Sequence, residues 1–141
     1  MNRFVMDVSI TMAWCFEDEK AAYTESLLDA VAAGTIAIVP TIWAYEVLNV
    51  LVVAQRKKRM TQAKALQFWR ELQTLPIAVD DKIISHSSLG IMSLANQYNL
   101  NAYDAAYLEL ALRESLALAT LDNDLKKAAL ALGLSLARSK D

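Results

Sequence analysis

The chain has 141 residues, 55% of them apolar, with only three glycines and two prolines, which argues against disorder and predicts packed helices and strands with short loops in one domain spanning 1–141. The net charge of −2 supplies no global basic field that would point to nucleic acid. A single cysteine, Cys15, and a single histidine, His86, exclude an internal disulfide, a cysteine zinc cluster and His-rich zinc sites, and leave little room for a Ser-His-Asp triad.

Arg3 to Met6 reads as a short strand, apolar on both faces as a central parallel strand is. Thr11 to Asp18 and Ala21 to Ala33 read as helices, the second closed by Gly34 in the C′ position. Ile36 to Val39 is a second strand, stopped by Pro40. Thr41 is the expected cap of a long helix to about Lys58, whose apolar stripe is Trp43, Val47, Val50, Leu51 and Ala54. Thr61 caps the next helix, to about Leu75, and Ile77 to Val79 is a third strand. Asp80 or Asp81 caps a helix running toward Tyr98, with His86 a plain helix residue, and Ala102 to Glu114 forms another helix. Leu116 to Thr120 is a strand, Asp124 to Leu132 a helix closed by Gly133, and Leu134 to Leu136 a candidate last strand.

This alternation of strands and helices predicts an α/β fold with a mainly parallel sheet covered on both faces. Ligands of such folds bind outside the carboxyl ends of the strands, at a topological switch point. Ile36 to Ala54, followed by Arg56-Lys57-Lys58-Arg59, imitates a membrane span with a positive anchor. Glu46 near its centre, Asn49, and Pro40, which divides it, argue against that reading. No secretory signal opens the chain, and a cytoplasmic compartment is expected.

Four carboxylates stand in apolar segments: Asp7 after Phe4-Val5-Met6, Glu46 within Ile42-Trp43-Ala44-Tyr45-Glu46-Val47-Leu48, Asp104 within Tyr103-Asp104-Ala105-Ala106-Tyr107, and Asp122 after Leu118-Ala119-Thr120-Leu121. A buried carboxylate needs a proton, a cationic partner or a metal. Arginine and lysine are scarce in these segments, and oxygen-only ligand sets suit Mg²⁺ or Mn²⁺. Each acid also has a structural explanation. Asp7 can cap a helix, and Asp104 sits where the helix dipole favours a carboxylate. Glu46, inside a helix beside its apolar stripe, is hardest to explain that way. Asp124 can cap the last helix, which would leave Asp122 without a structural duty.

In this order and context, Met6-Asp7-Val8-Ser9, Pro40 to Leu51, Tyr103 to Tyr107 and Thr120-Leu121-Asp122 resemble the PIN-domain ribonucleases, and most closely the VapC type of toxin from toxin–antitoxin pairs. The resemblance spans Phe4 to Leu136. It implies a three-layer α/β/α sandwich in which the four acids gather at one end of the sheet. Asp7 and Asp104 would be the primary ligands of Mg²⁺ or Mn²⁺, completed by Glu46 and Asp122, with Ser9 and Thr120 as supporting hydroxyls. Asn101 stands where relatives often carry threonine or serine. The activity implied is metal-dependent hydrolysis of RNA, leaving a 5′ phosphate and a 3′ hydroxyl. The partners implied are a second copy of the chain and an antitoxin whose peptide lies in a groove near the site.

Arg56, Lys57, Lys58 and Arg59, with Lys64 nearby, form the one dense basic run and are candidates for RNA phosphates or, equally, a solvated helix end. Trp14, Phe16, Tyr23, Trp43, Tyr45 and Trp69 are, as a set, candidates for contact surface, while each taken singly reads as core. Rival readings are an RNA-processing nuclease without an antitoxin, a non-catalytic interaction module of the same fold, and a receiver-type phosphotransfer domain.

Overall fold

The computed structural model describes residues 1–139. The chain runs β1 (Arg3–Met6), α1 (Val8–Cys15), a 3-10 turn (Glu17–Glu19), α2 (Ala22–Ala32), β2 (Ile36–Val39), α3 (Ile42–Arg56), α4 (Gln62–Leu72), β3 (Ile77–Val79), α5 (Ile84–Tyr98), α6 (Ala102–Glu114), β4 (Leu118–Ala119) and α7 (Asn123–Ala131). The four strands form one parallel sheet in the order β3-β2-β1-β4, flanked by the helices. This is the expected α/β/α sandwich. No described helix is long and apolar enough to cross a membrane.

The central strand explains the layering. Phe4, Val5 and Met6 are all fully buried, which only a sheet covered on both faces permits. Each such side chain contributes about 1.5–3 kcal/mol on burial. Around them pack Leu27 and Val31 of α2, Trp43, Val47 and Leu51 of α3, and Leu108, Leu110 and Ala111 of α6. Val50 of the expected α3 stripe is only half-buried, at the margin of the core.

Several helix ends differ from the sequence reading. Helix α1 begins at Val8, not Thr11, because the Asp7 side chain accepts from Ser9 N and Ile10 N and so starts the helix earlier. It ends at Cys15, and the 3-10 turn takes up the rest of the expected span. Thr41 precedes α3 but makes no side-chain capping bond, being already helical in backbone conformation; the Pro40 carbonyl accepts from Trp43 N instead. Asp80 does not cap α5. That helix starts after Ile83 with no side-chain cap, while Asp80 pairs with Arg113. Asp122, not Asp124, caps α7, accepting from Leu125 N at 2.9 Å. Leu134 to Leu136 contributes only a single parallel bridge, Leu136 to Leu118. The caps assigned to Thr61 and Asn101 do form. Gly34 and Gly133 both take positive φ just past their helices, where a Cβ would be strained.

The strand order creates the feature that matters for function. From β1 the chain winds outward through β2 to β3, then returns to the opposite side of β1 to lay down β4. The direction of winding therefore reverses between β1 and β4. Their register, Val5 to Leu118 and Met6 to Ala119, ends both strands at the same level. Asp7 N donates to Ala119 O at 3.1 Å, which brings Asp7 beside Thr120 at the mouth of this crevice.

Candidate active site

Asp7 is a buried carboxyl group, held among the described residues by hydrogen bonds alone. Its Oδ1 accepts from Ser9 N at 3.0 Å, Ser9 Oγ at 2.5 Å and Ile10 N at 3.4 Å. Its Oδ2 accepts from the Thr120 hydroxyl. The same hydroxyls accept in turn: Ser9 Oγ from Leu121 N at 2.9 Å, and Thr120 Oγ1 from Asp122 N at 3.0 Å. Ser9 and Thr120 thus tie the end of β1 to the end of β4 through one carboxylate. Burial pushes the Asp7 carboxyl above its ordinary value, and the Ser9 and Thr120 hydrogen bonds oppose that shift without cancelling it.

Glu46 reaches the site from α3. The helix is fixed in rotation by Trp43, whose indole N–H donates to the buried Thr11 hydroxyl at 2.9 Å. One turn later Glu46 is half-buried, and its Oε1 accepts from the Tyr107 hydroxyl at 2.5 Å. Burial raises the Glu46 carboxyl, the Tyr107 hydrogen bond lowers it, and repulsion from Asp104 and Asp7 raises it further. Asp104 stands half-buried in the first turn of α6. Its backbone N–H is capped by Asn101 Oδ1 at 2.7 Å, while its side chain accepts no hydrogen bond from the described residues. It too is raised, by burial and then by repulsion from Asp122 and Asp124.

Glu46 therefore lies within electrostatic reach of Asp104 and Asp7, and Asp104 within reach of Asp122 and Asp124. Their exposures differ from the sequence picture of four carboxylates in apolar surroundings. Only Asp7 is buried; Glu46 and Asp104 are half-buried, and Asp122 and Asp124 are exposed. Among the described residues none of Asp7, Glu46, Asp104 or Asp122 forms an ion pair.

Mutual repulsion without a cation is the condition that a divalent ion relieves. The donors are all oxygens, which suits Mg²⁺ or Mn²⁺. Yet among the described residues no three acids converge into a group able to enclose an ion, and both Asp7 oxygens are already engaged. A cage that strips the ion of water is not what these side chains form. Mg²⁺ keeps several waters and is usually bound by one or two carboxylates. The residues fit a hydrated ion of that kind, with open oxygens on Glu46 and Asp104.

The basic run is placed apart from these acids. Arg59 is engaged elsewhere, bonded to Asp18 at 2.8 Å and Glu19 at 3.1 Å with its guanidinium 3.9 Å from the centre of the Phe16 ring. Arg56, Lys57 and Lys58 are exposed at the far end of α3, about 15 Å from Glu46 along the helix axis. The structure sorts the candidate aromatics as well. Trp14, Phe16 and Trp43 are buried, Tyr23 donates to Ala137 O at 2.7 Å, and Trp69 packs 6.2 Å from Trp43. Of that set only Tyr45 is exposed.

Tyr45 lines a groove of about 530 Å³ together with Pro40, Tyr103, Ile84 and Ile91. Tyr45 and Tyr103 immediately precede Glu46 and Asp104, so the groove adjoins the acids. Its far end carries Arg113, bonded to Asp80 at 2.8 Å and Glu109 at 2.9 Å. Burial opposes ionisation of Asp80, but the Arg113 hydrogen bonds win and hold its carboxyl below the ordinary value.

The residue that the sequence reading left without a role is Tyr107. It lies in the Tyr103–Tyr107 motif, three residues after Asp104, and so on the same side of α6. In sequence it is indistinguishable from a core aromatic, and it is indeed 1% exposed. Its contact with Glu46 joins positions 61 residues apart, which no local pattern encodes.

A family model described as the PIN domain matches residues 4–130. No curated protein matches the chain. Among solved structures, the fold is similar to PAE2754 from Pyrobaculum aerophilum, at TM-score 0.66 and 20% identity, covering 89% of this chain and 78% of that one. It is similar to VapC20 from Mycobacterium tuberculosis, described as a sarcin–ricin loop cleaving toxin, at TM-score 0.66 and 12% identity, covering 96% and 98%. It is also similar to FitAcB from Neisseria gonorrhoeae, at TM-score 0.65 and 15% identity, covering 96% and 97%. At these identities the likeness is one of fold.

Proposed function

This chain belongs to the PIN domain family, and from that premise we propose that it is a Mg²⁺- or Mn²⁺-dependent endoribonuclease acting as the toxin of a toxin–antitoxin pair. The observation that carries the reading is the repulsion of Glu46 by Asp104 and Asp7, and of Asp104 by Asp122, beside the switch point of a parallel sheet, with no ion pair to any of the four among the described residues. Those four residues would hold the ion, directly or through water. When bound, it supplies an activated water and neutralises charge on the phosphate.

The protein's own groups have distinct tasks. Ser9 and Thr120 aim Asp7, and their hydrogen bonds favour its ionised form against the effect of burial. Asn101 fixes the first turn of α6, which sets the backbone that carries Asp104. Asp122 caps α7 and presents its charge at the rim. His86 lies exposed on α5, and this chemistry asks for no histidine. Arg56, Lys57 and Lys58 remain candidates for distant RNA phosphates, which would make binding dependent on salt.

A toxin role is supported by the similarity in fold to a structure described as a toxin. An antitoxin peptide has a groove of suitable size beside the acids, and a homodimer has an apolar surface on α5. Ile84, Leu89 and Met92 are exposed there, and Ser87 is the only buried residue of that helix. We assign the activity to a single PIN domain over 1–141 in the cytoplasm. The experiment is expression of the protein alone, with and without Asp104→Asn, with new 5′ ends mapped across cellular RNA in the presence of Mg²⁺. Ends bearing 5′ phosphates that vanish in the variant are expected. A folded Asp104→Asn protein that cleaves as well as the parent overturns the assignment.

A further inference from the structure

Resting on the nuclease reading above, we propose that Tyr107 is a positioning residue of the site, whose buried hydroxyl clamps Glu46 through Oε1 and leaves Oε2 alone to face a divalent cation. Helix α6 then has two tasks within one turn: it supplies the charge of Asp104 and the hydroxyl that orients a second carboxylate from α3.

Three observations converge on this role. The Tyr107 ring is packed in the core at 1% exposure, so the hydroxyl is placed by packing and not by solvent. The hydroxyl has one acceptor among the described residues, Glu46 Oε1 at 2.5 Å, while Oε2 accepts no hydrogen bond from them. The backbone of α3 is held independently by the Trp43–Thr11 bond at 2.9 Å, three residues before Glu46. Backbone and side chain of Glu46 are thus fixed by different partners.

Electrostatics explain why a clamp is needed. Asp104 and Asp7 repel Glu46, and an unrestrained glutamate relieves that repulsion by swinging into solvent. A phenol suits the task. A phenol is an O–H donor at neutral pH and carries no charge of its own to the acids. Partners that orient a metal ligand in this way typically change metal affinity or activity 10–100-fold when removed.

The test uses Tyr107→Phe, which keeps the ring and its packing and removes only the hydroxyl. Mn²⁺ alone, titrated into the metal-free protein by calorimetry or EPR, is expected to bind about 10–100-fold more weakly to this variant. In a Glu46→Gln background the same change is expected to add no further loss, because the hydroxyl acts only through that carboxylate. Side-chain ¹³C NMR of the metal-free protein reads the clamp directly: Tyr107→Phe should move the Glu46 carboxyl signal and leave Asp122 in place. Wild-type Mn²⁺ affinity in Tyr107→Phe, or an undiminished loss in the Glu46→Gln background, overturns the proposal. Parent protein that binds no Mn²⁺ overturns the nuclease reading instead. The NMR signal then decides the clamp by itself, unmoved against it and moved in its favour.

Discussion

Asp7 and Asp104 carry the same functional group in the same cluster, yet the fold treats them in opposite ways. Asp7 is buried, and both its oxygens accept hydrogen bonds. Asp104 is half-exposed, and its side chain is unbonded among the described residues. One is an architectural carboxylate that starts α1 and joins two strands. The other adds repulsion and little structure, because Asn101 already caps its helix. The contrast teaches that one acidic cluster can hold one carboxylate as a rigid anchor and leave another open, and that loss of activity alone will not separate the two.

The largest expected effect is on activity and is common to both residues: Asp104→Asn and Asp7→Asn should each abolish Mg²⁺-dependent RNA cleavage. Stability should then split them. Asp7→Ala removes the cap of α1 and strands the Ser9 and Thr120 hydroxyls, and a loss of about 1–2 kcal/mol is expected from urea unfolding. Asp104→Ala removes repulsion and no side-chain hydrogen bond, so its unfolding midpoint should stay within about 0.5 kcal/mol of the parent. Equal destabilisation by the two alanine variants would erase the distinction.

Acid pH sharpens the same comparison. Asp7, Glu46 and Asp104 are all raised in the folded state. The native protein therefore binds more protons than the unfolded chain between the ordinary carboxylate value and each raised value, and stability contributed by these groups falls as pH rises through that window. The metal-free protein should thus gain stability from them on mild acidification, whereas Mn²⁺ binding and cleavage should weaken. Asp80, lowered by Arg113, runs the other way and loses its contribution as pH falls through its folded value. Asp80→Asn should consequently make the acid gain more visible in a melting series; a flat profile in both proteins would contradict the assigned shifts.

Smaller effects belong to the rim and the basic run. Asp122→Ala removes the cap of α7 and should cost about 1 kcal/mol, while Asp124→Ala should cost less, measured by the same unfolding. Lys57→Ala should reduce the salt dependence of RNA binding by about one phosphate contact. Arg59→Ala should leave that slope alone, because Arg59 is committed to Asp18, Glu19 and Phe16.

Much of this organisation was legible in the residues. The strand Arg3–Met6, the helix Ala102–Glu114 and the edges of β2 and β3 fall where the apolar patterns put them, since burial on both faces or on one stripe leaves a local periodic trace. Ser9 and Thr120 stand in the motifs that carry the family resemblance, and both hydroxyls donate to Asp7. Helix starts were harder to read. Asp7 lengthened α1 by capping it, and Asp122 took the cap expected of Asp124, because neighbouring acids compete for the same donors and only the backbone path decides between them.

Sequence by itself determined the alternation of strands and helices and the parallel sheet, and marked out the candidate acids, because each is written in short-range pattern and residue chemistry. Tertiary structure alone decided the crevice between β1 and β4, the bond from Tyr107 to Glu46, the capture of Arg59 and which of the candidate aromatics are exposed. Those features depend on the order of strands in the sheet and on contacts between residues far apart in the chain. Their free energies are set by distance and burial in three dimensions, and neither quantity is a property of any short segment.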